Sequence, residues 1–182
     1  MSIAITPEQL DLSQFLKPGD HIVFGQACGE PITLVEALIE QGRHIGGLSA
    51  FIATSFSGLF TPESAASFRL SSMGAIGALR SMTKAHALDV IPVHVSQVAP
   101  LITAGVMRCD VAMIQVSPAD AEGNHSCGLI SDYVRAAVDK ARVVIAEVNE
   151  AVPYTPGETI PGSAIDVAVR VANDLIDAGT AA

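Results

Sequence analysis

The sequence predicts one α/β domain with an open, mostly parallel sheet flanked by helices. Its 182 residues are the length of one ordinary domain, long enough to bury a sizeable core. Short apolar runs bounded by turn residues alternate with segments whose apolar positions recur at helical spacing. The composition is 49% hydrophobic but only 4% aromatic. A core of Ala, Val, Ile and Leu is typical of a parallel sheet covered by helices on both faces.

The first third of the chain predicts two helices and two strands. Residues 6–20 predict a helix, because Thr6 is a capping residue, Pro7 suits the first helical position and residues 17–20 are turn formers. The next elements are a strand over 20–25, a helix from 31 that closes at Gly42, and a strand within 45–53.

The segment 56–84 has a different character, because Gly, Ser and Ala dominate it. We expect a short helix that begins within 60–63 and a flexible loop at 71–77, and a long stretch of small residues in a compact domain is often functional. The remaining elements are a strand over 89–96, a helix over 98–104, a strand over 110–116, a helix over 130–141 and a strand over 142–148. About five strands alternating with helices favour a parallel sheet.

Charge and cysteine content exclude several classes of protein. The net charge of −9 is the wrong sign for a surface that follows nucleic acid phosphates. The three cysteines have no CxxC spacing, and His125 and Cys127 have no partner cluster, so we expect neither a disulfide framework nor a metal site. The sequence also lacks a secretory signal and a long apolar run. We therefore expect a soluble protein of the cytoplasm that does not associate with membranes.

Ligands of open α/β sheets bind beyond the carboxyl ends of the strands. The segment Gly25-x-x-x-Gly29-x-Pro31 follows a strand and precedes a helix there. Its backbone N–H groups are candidates to cradle a phosphate or carboxylate, with Gln26 between the two glycines. The alternative is an ordinary turn from strand to helix.

Three further predicted strand ends supply candidate residues at the same edge. His94 and Ser96 lie on one side of a predicted strand end and suggest a base and nucleophile, although no orienting acid is identifiable; a buried, hydrogen-bonded structural role is the alternative. Gln115 and Ser117 either line a pocket as neutral donors or build a turn. Glu147 closes a buried strand, where a desolvated carboxylate is a candidate nucleophile or base; the favoured alternative is that it accepts from amide groups at a helix end or loop.

Four segments taken together resemble the N-terminal half of the acetyl-CoA hydrolase/transferase family, which includes acetate, butyrate, succinate and 4-hydroxybutyrate CoA-transferases. They are Gly25-x-x-x-Gly29-x-Pro31-x-x-Leu34-x-x-Ala37-Leu38, Ile91-Pro92-Val93-His94-Val95-Ser96, the segment 110–123 with Gln115-Val116-Ser117-Pro118, and the segment 144–153. The resemblance spans about residues 15–170. It implies the CoA-transferase fold, which is related to ribose-phosphate isomerase and glucosamine-phosphate deaminase.

The resemblance also implies a chemistry. In this family a glutamate attacks an acyl-CoA thioester, giving an acyl-glutamyl anhydride and then a glutamyl-CoA thioester. That glutamate lies in the C-terminal half, and no glutamate of this chain matches its motif. We therefore expect residues 1–170 to be the N-terminal α/β domain, residues 171–182 to be the start of the second half with a helix at 171–180, and this chain alone to be inactive.

The expected ligands are an acyl-CoA and a short carboxylic acid, with no permanently bound cofactor. On this interpretation the acid side of the cleft is lined by Gly25, Gln26, Gly29, His94, Ser96, Gln115 and Ser117. The partner is a complementary C-terminal domain or subunit, so we expect a homo- or hetero-oligomer, with a dimer the first expectation. Two alternatives remain open: a truncated, non-catalytic binding or interaction module, and a small hydrolase that uses His94 and Ser96.

Overall fold

The computed structural model describes residues 3–177, which form ten strands and four α-helices. The strands are β1 (Ile3–Ile5), β2 (His21–Phe24), β3 (Ser49–Phe51), β4 (Arg69–Ser72), β5 (Leu88–Val90), β6 (Val111–Val116), β7 (Asn124–Ser126), β8 (Val143–Asn149), β9 (Thr159–Pro161) and β10 (Val167–Val171). The helices are α1 (Ile32–Ile45), α2 (Arg80–Lys84), α3 (Val95–Thr103) and α4 (Val134–Lys140).

Eight strands form one parallel sheet in the order β1-β10-β8-β6-β2-β3-β4-β5. β7 and β9 form a separate antiparallel pair. The α/β class and the parallel sheet flanked by helices are therefore confirmed. All eight carboxyl ends lie at one edge, which we call the carboxyl edge.

Alternation along the buried strands divides the core between the two faces of the sheet. On one face, strand residues such as Met113 and Ile145 pack against Leu34 and Leu38 of α1. On the other face, Ala112, Ile114 and Val144 pack against side chains of α3 and α4. We call these the α1 face and the α4 face.

Several predicted elements differ from the structure. Residues 6–20 form two 3₁₀ turns, Pro7–Gln9 and Leu12–Gln14, instead of one helix. Helix α1 continues through the buried Gly42 to Ile45, since the glycine allows close packing against the Ser67 carbonyl. The short helix expected to begin within 60–63 is a single 3₁₀ turn, Ser64–Ala66, preceded by Glu63.

More strands form than the five expected, because short or polar segments pair with neighbours that are already buried. β1 and β4 have this character, and β4 occupies the start of the predicted loop at 71–77. β10 is a five-residue, mostly apolar strand that was not predicted. Residues 172–177 form no helix, and 178–180 of the helix expected at 171–180 lie outside the described residues. None of the helices within residues 3–177 is long and apolar enough to cross a membrane.

Candidate functional site at the carboxyl edge

The turn between β2 and α1 folds back on itself so closely that only glycine fits at its start. A Cβ on Gly25 would lie 2.5 Å from the carbonyl oxygen of Gly29. The Gly25 N–H donates to the Met113 carbonyl at 3.0 Å, and the Gly29 N–H donates to the Gln26 carbonyl at 2.8 Å. Both N–H groups are therefore used by the backbone. These two N–H groups do not form the predicted anion cradle, and the alternative, an ordinary turn from strand to helix, agrees with their bonding.

Gln26 fastens this turn to the start of α4. Its side chain is 6% exposed, and its Nε2 donates to the Asp132 carboxylate. The adjacent Tyr133 is buried, and its hydroxyl donates to the Phe24 carbonyl at 2.8 Å. A neutral amide at this position holds the loop after β2 against the α4 face.

Glu30 is a fully buried carboxylate that joins the loop after β2 to the loop after β3. The hydroxyl groups of Ser55 and Ser57 donate to it at 3.0 and 2.6 Å, and the N–H of Phe56 donates at 3.3 Å. Burial raises the pKa of Glu30, and these hydrogen bonds oppose the rise. A buried carboxylate with this many donors is an anchor for the two loops.

Gln115 connects three strand ends through both atoms of its amide. Its Nε2 donates to the Cys28 carbonyl, and its Oε1 accepts from the Asn149 Nδ2, each at 3.2 Å. The same Asn149 nitrogen donates to the Asn173 carbonyl at 3.0 Å, just beyond β10. The loop after β2 and the segment leaving β10 are thereby linked through two buried amides.

Glu147 lies beside Gln115 on β8, on the α1 face. It is fully buried, and its Oε2 accepts from the Thr33 N–H in the first turn of α1 at 2.8 Å. The sequence interpretation of this residue as the partner of a helix-end amide is confirmed. Its Oε1 has no partner among the described residues, and burial raises the pKa of Glu147 to about 7.

Ser117 holds the hairpin that follows β6. Its hydroxyl donates to the Pro118 carbonyl at 2.8 Å and accepts from the Ser126 N–H at 2.9 Å. Its own N–H donates to the Ser126 carbonyl at 2.9 Å. The turn-building interpretation therefore describes this fully buried side chain better than that of a free donor in a pocket.

His94 and Ser96 do not lie at a strand end as predicted. β5 stops at Val90, and His94 is the residue before α3. The His94 Nδ1 accepts from the Ser96 N–H at 3.3 Å and lies 2.9 Å from the Ser96 hydroxyl. Both side chains are exposed, so the buried alternative is also wrong. In the described part of the chain no carboxylate bonds to His94.

The sequence did not single out five residues that organise this edge. They are Glu30, Ser55, Ser57, Asn149 and Asn173. Four of them lie in or beside segments that follow strands, so the rule for parallel sheets was the available signal. Asn173 had no such signal, because β10 was not predicted.

The sequence matches the acetyl-CoA hydrolase/transferase N-terminal domain over residues 6–178. The chain belongs to this family. The 4-hydroxybutyrate coenzyme A transferase of Clostridium kluyveri is 33% identical to it over 160 residues, which are 86% of this chain and 37% of that protein. The succinyl-CoA:acetate/propanoyl-CoA:succinate CoA transferase of Fasciola hepatica is 26% identical over 79% of this chain and 30% of its own length. The resemblance noted in the sequence is thus confirmed.

Solved structures agree with this family and extend the match to the fold. RipA from Yersinia pestis superposes with a TM-score of 0.88 at 25% identity, covering 99% of this chain and 45% of that one. The 4-hydroxybutyrate CoA-transferase of Porphyromonas gingivalis gives a TM-score of 0.73 at 26% identity, with 96% and 41% covered. The fold is therefore CoA-transferase-like, and the chain spans less than half of each of these proteins.

Proposed function

We propose that this chain forms the N-terminal half of the active-site cleft of an acyl-CoA:carboxylate CoA-transferase or acyl-CoA hydrolase. Both buried carboxylates of the carboxyl edge, Glu30 and Glu147, are fully enclosed by this half. Glu30 is held by hydroxyl and N–H donors, and Glu147 by an N–H donor at the start of α1. That observation carries the proposal, because a nucleophile must reach the substrate and neither carboxylate does.

The nucleophilic glutamate then comes from the C-terminal half. More than half of each relative's length lies outside the part that this chain covers. The glutamate oxygen attacks the thioester carbonyl, the C–S bond breaks, and CoA leaves as the thiolate, producing an acyl-glutamyl anhydride. The thiolate then attacks the glutamyl carbonyl and releases the first acid. The carboxylate of the second acid attacks the resulting glutamyl-CoA thioester, the C–S bond breaks, and an acyl-glutamyl anhydride and the CoA thiolate form. The thiolate then attacks the acyl carbonyl of this anhydride, which gives the new acyl-CoA and frees the glutamate.

In this proposal the present chain supplies a preorganised wall. The turn containing Gly25, Gln26 and Gly29 and the segment from Gln115 to Ser117 border the cleft, and the acyl-CoA and the short acid are substrates. We assign residues 1–170 to the N-terminal domain that carries this wall and residues 171–182 to the start of the second half. We propose that the partner is a complementary domain or subunit and that the protein is a cytoplasmic dimer. We place His94 and Ser96 at the outer end of the wall.

The experiment replaces the matching part of the Clostridium kluyveri transferase by this chain. We expect the chain alone to leave acetyl-CoA unchanged when butyrate is present, and the chimera to form butyryl-CoA, measured by liquid chromatography. Within the chimera, Gln26→Ala should lower the transfer rate, because it releases the turn at the carboxyl edge. Gln41→Ala is the matched control, since the Gln41 amide bonds to the Leu10 carbonyl and the Leu12 N–H beside the far end of α1.

Two results would contradict the proposal. One is sustained consumption of acetyl-CoA by the homogeneous chain alone, which would place a nucleophile within it. The other is a chimera that elutes and melts as a folded protein yet transfers no acyl group. If Gln26→Ala and Gln41→Ala lowered the transfer rate equally, the turn would have no specific role in the transfer.

A further inference from the structure

A second concave site lies at the carboxyl edge, on the α4 face. It is a cavity of about 390 Å³ between the ends of β8 and β10 and the hairpin segments after β6 and β9. Val148 and Ala168, which line it, belong to the α4 face, whereas Gln115 and Glu147 lie on the other face. The cavity therefore lies on the opposite face of the sheet from Gln115 and Glu147, and it adjoins the site described above at Ser117, whose carbonyl bonds to His125. None of the residues proposed for the CoA-transfer cleft lines it.

Small residues create this space. Ala4 on β1 and Ala168 on β10 are paired neighbours, and both line the cavity. Gly162 lines the opposite side, where a Cβ would lie 2.8 Å from the Gly123 carbonyl oxygen and 3.7 Å from the Nε2 of His125. A larger side chain at Ala168 would fill the volume, so the concavity follows from the sequence at these positions.

Two opposite charges line the cavity without neutralising each other. Arg170 extends from β10 and Glu150 follows β8. The ion pairs found among residues 3–177 involve four other arginines, and neither Arg170 nor Glu150 has an opposite charge within 4.0 Å. Both charges are exposed on their solvent side. A guanidinium is suited to bind a carboxylate with two parallel hydrogen bonds.

His125 supplies a third polar group with a defined orientation. Its Nδ1 lies 2.7 Å from the Ser117 carbonyl oxygen, an acceptor that requires the proton on this nitrogen. Its Nε2 lies near Gly162, which lines the cavity with His125 itself. In the neutral ring this Nε2 is an acceptor, and His125 and Glu150 line the same cavity.

We propose that this cavity binds a small zwitterionic α-amino acid. The carboxylate pairs with Arg170, the ammonium group pairs with Glu150 and donates to the Nε2 of His125, and a short apolar side chain lies against Ala168 and Val148. A simple monocarboxylate would gain no contact with Glu150, and an amine would gain none with Arg170. Dianions are disfavoured further by the net charge of −9.

The test titrates the isotope-labelled 182-residue chain with L-valine and follows the NMR signals of Arg170, His125 and Ala168. Two probes each lack one charge: 3-methylbutanoate has no ammonium group, and 2-methylpropan-1-amine has no carboxylate. We expect L-valine to bind with a Kd on the order of 1 mM. Each probe should bind at least about threefold more weakly, the factor expected for one partly exposed ion pair.

Single substitutions test which charged group of L-valine each charged side chain binds. Arg170→Gln should weaken L-valine binding at least about threefold, and Glu150→Gln should remove the preference for L-valine over 3-methylbutanoate. Arg43→Gln is the matched control, because Arg43 is an exposed arginine on α1 that does not line the cavity. Ala168→Leu fills the cavity and should abolish binding of all three probes, with the fold of each variant checked by circular dichroism.

The proposal is overturned if L-valine leaves the cavity signals unchanged, or if the three probes bind equally. It is also overturned if Arg170→Gln binds L-valine as well as Arg43→Gln does. None of these readouts uses CoA, so failure here is distinguishable from failure of the proposed transferase function.

Discussion

The buried carboxyl of Glu147 makes the stability of this fold depend on pH in a direction opposite to that of most paired carboxylates. It is fully buried, with one oxygen bonded to the Thr33 N–H and the other without a partner in the described part of the chain. Burial favours the protonated form and raises the pKa from an ordinary 4.5 to about 7. The folded state therefore holds this proton more tightly than the unfolded chain does.

The size of the effect follows from those two values. The stabilisation is fully present below pH 4.5 and is lost as the pH rises through about 7, because the folded protein must then ionise an enclosed group. The difference between 7 and 4.5 is 2.5, and each pH unit corresponds to about 1.36 kcal/mol. We expect the ionisation of Glu147 to lower the free energy of unfolding by about 3 kcal/mol between the two limits.

The perturbation is Glu147→Gln, which is neutral at every pH and keeps an oxygen for the Thr33 N–H. Urea denaturation of both proteins at a series of pH values from about 4 to about 8 gives the free energy of unfolding at each point. The variant's stability relative to the unmodified protein should rise by about 3 kcal/mol across this range. A constant cost from the new buried amide shifts the curve but leaves this change intact. Other groups, including Glu30, contribute equally to both proteins.

Glu36→Gln is the control, because it removes one negative charge at an exposed position of α1. The free energy of unfolding of this variant should change with pH in the same way as that of the unmodified protein. If that of Glu147→Gln also changes in the same way, the carboxyl does not titrate with a raised pKa, and the reasoning from burial is refuted.

Three further predictions concern the close packing around β2. Gly25→Ala should lower the free energy of unfolding by about 1–3 kcal/mol, since its Cβ would lie 2.5 Å from the Gly29 carbonyl oxygen; thermal denaturation measures the loss, and an unchanged midpoint would contradict the contact. Tyr133→Phe should cost about 1–3 kcal/mol because the Phe24 carbonyl loses a buried donor, and urea titration checks it. Cys28 should be the fastest of the three thiols to react with a disulfide reagent in the native protein, because it is half-buried and the other two are buried with raised pKa values; a rate unchanged by Cys28→Ser would contradict this.

The central strands were predictable because their sequences carry the signal themselves. Residues 111–116 and 143–149 are apolar runs bounded by turn formers, and burial on both faces of a parallel sheet requires such runs. β4 could not be predicted in this way. Three of its four residues, Arg69, Ser71 and Ser72, are polar, and it becomes a strand because β3 and β5 offer hydrogen bonds on either side.

The candidate site was predictable as a place but not as a set of bonds. The convergence of parallel strand ends predicts the loops containing Gly25 and Gln115 from the sequence alone. His94 was misplaced because the pattern after Leu88 continues to look extended, while only three residues pair. Nothing local to Asn173 indicates its bond to Thr33, since the contact depends on β10 being seated in the sheet.

The two faces of the carboxyl edge differ in whether their polar side chains have partners, and we infer a different role for each face from this difference. On the α1 face, the side chains of Asn149 and Gln115 bond the segment after β10 to the turn after β2, so the edge is held in one arrangement by its own residues. Such a surface is rigid before any ligand or partner arrives, which favours a role as a wall. On the α4 face, Arg170 and Glu150 keep their charges free of ion pairs with described residues. Because the hydrogen-bond network on the α1 face makes the edge rigid, we expect variants of Asn149 to change the mobility of the turn at Cys28. Because the unpaired charges on the α4 face attract charged ligands, we expect variants of Arg170 to change only what the cavity binds. Hydrogen exchange of the Gly29 amide separates the two: a loss of protection in Arg170→Gln equal to that in Asn149→Ala would show that the faces are coupled.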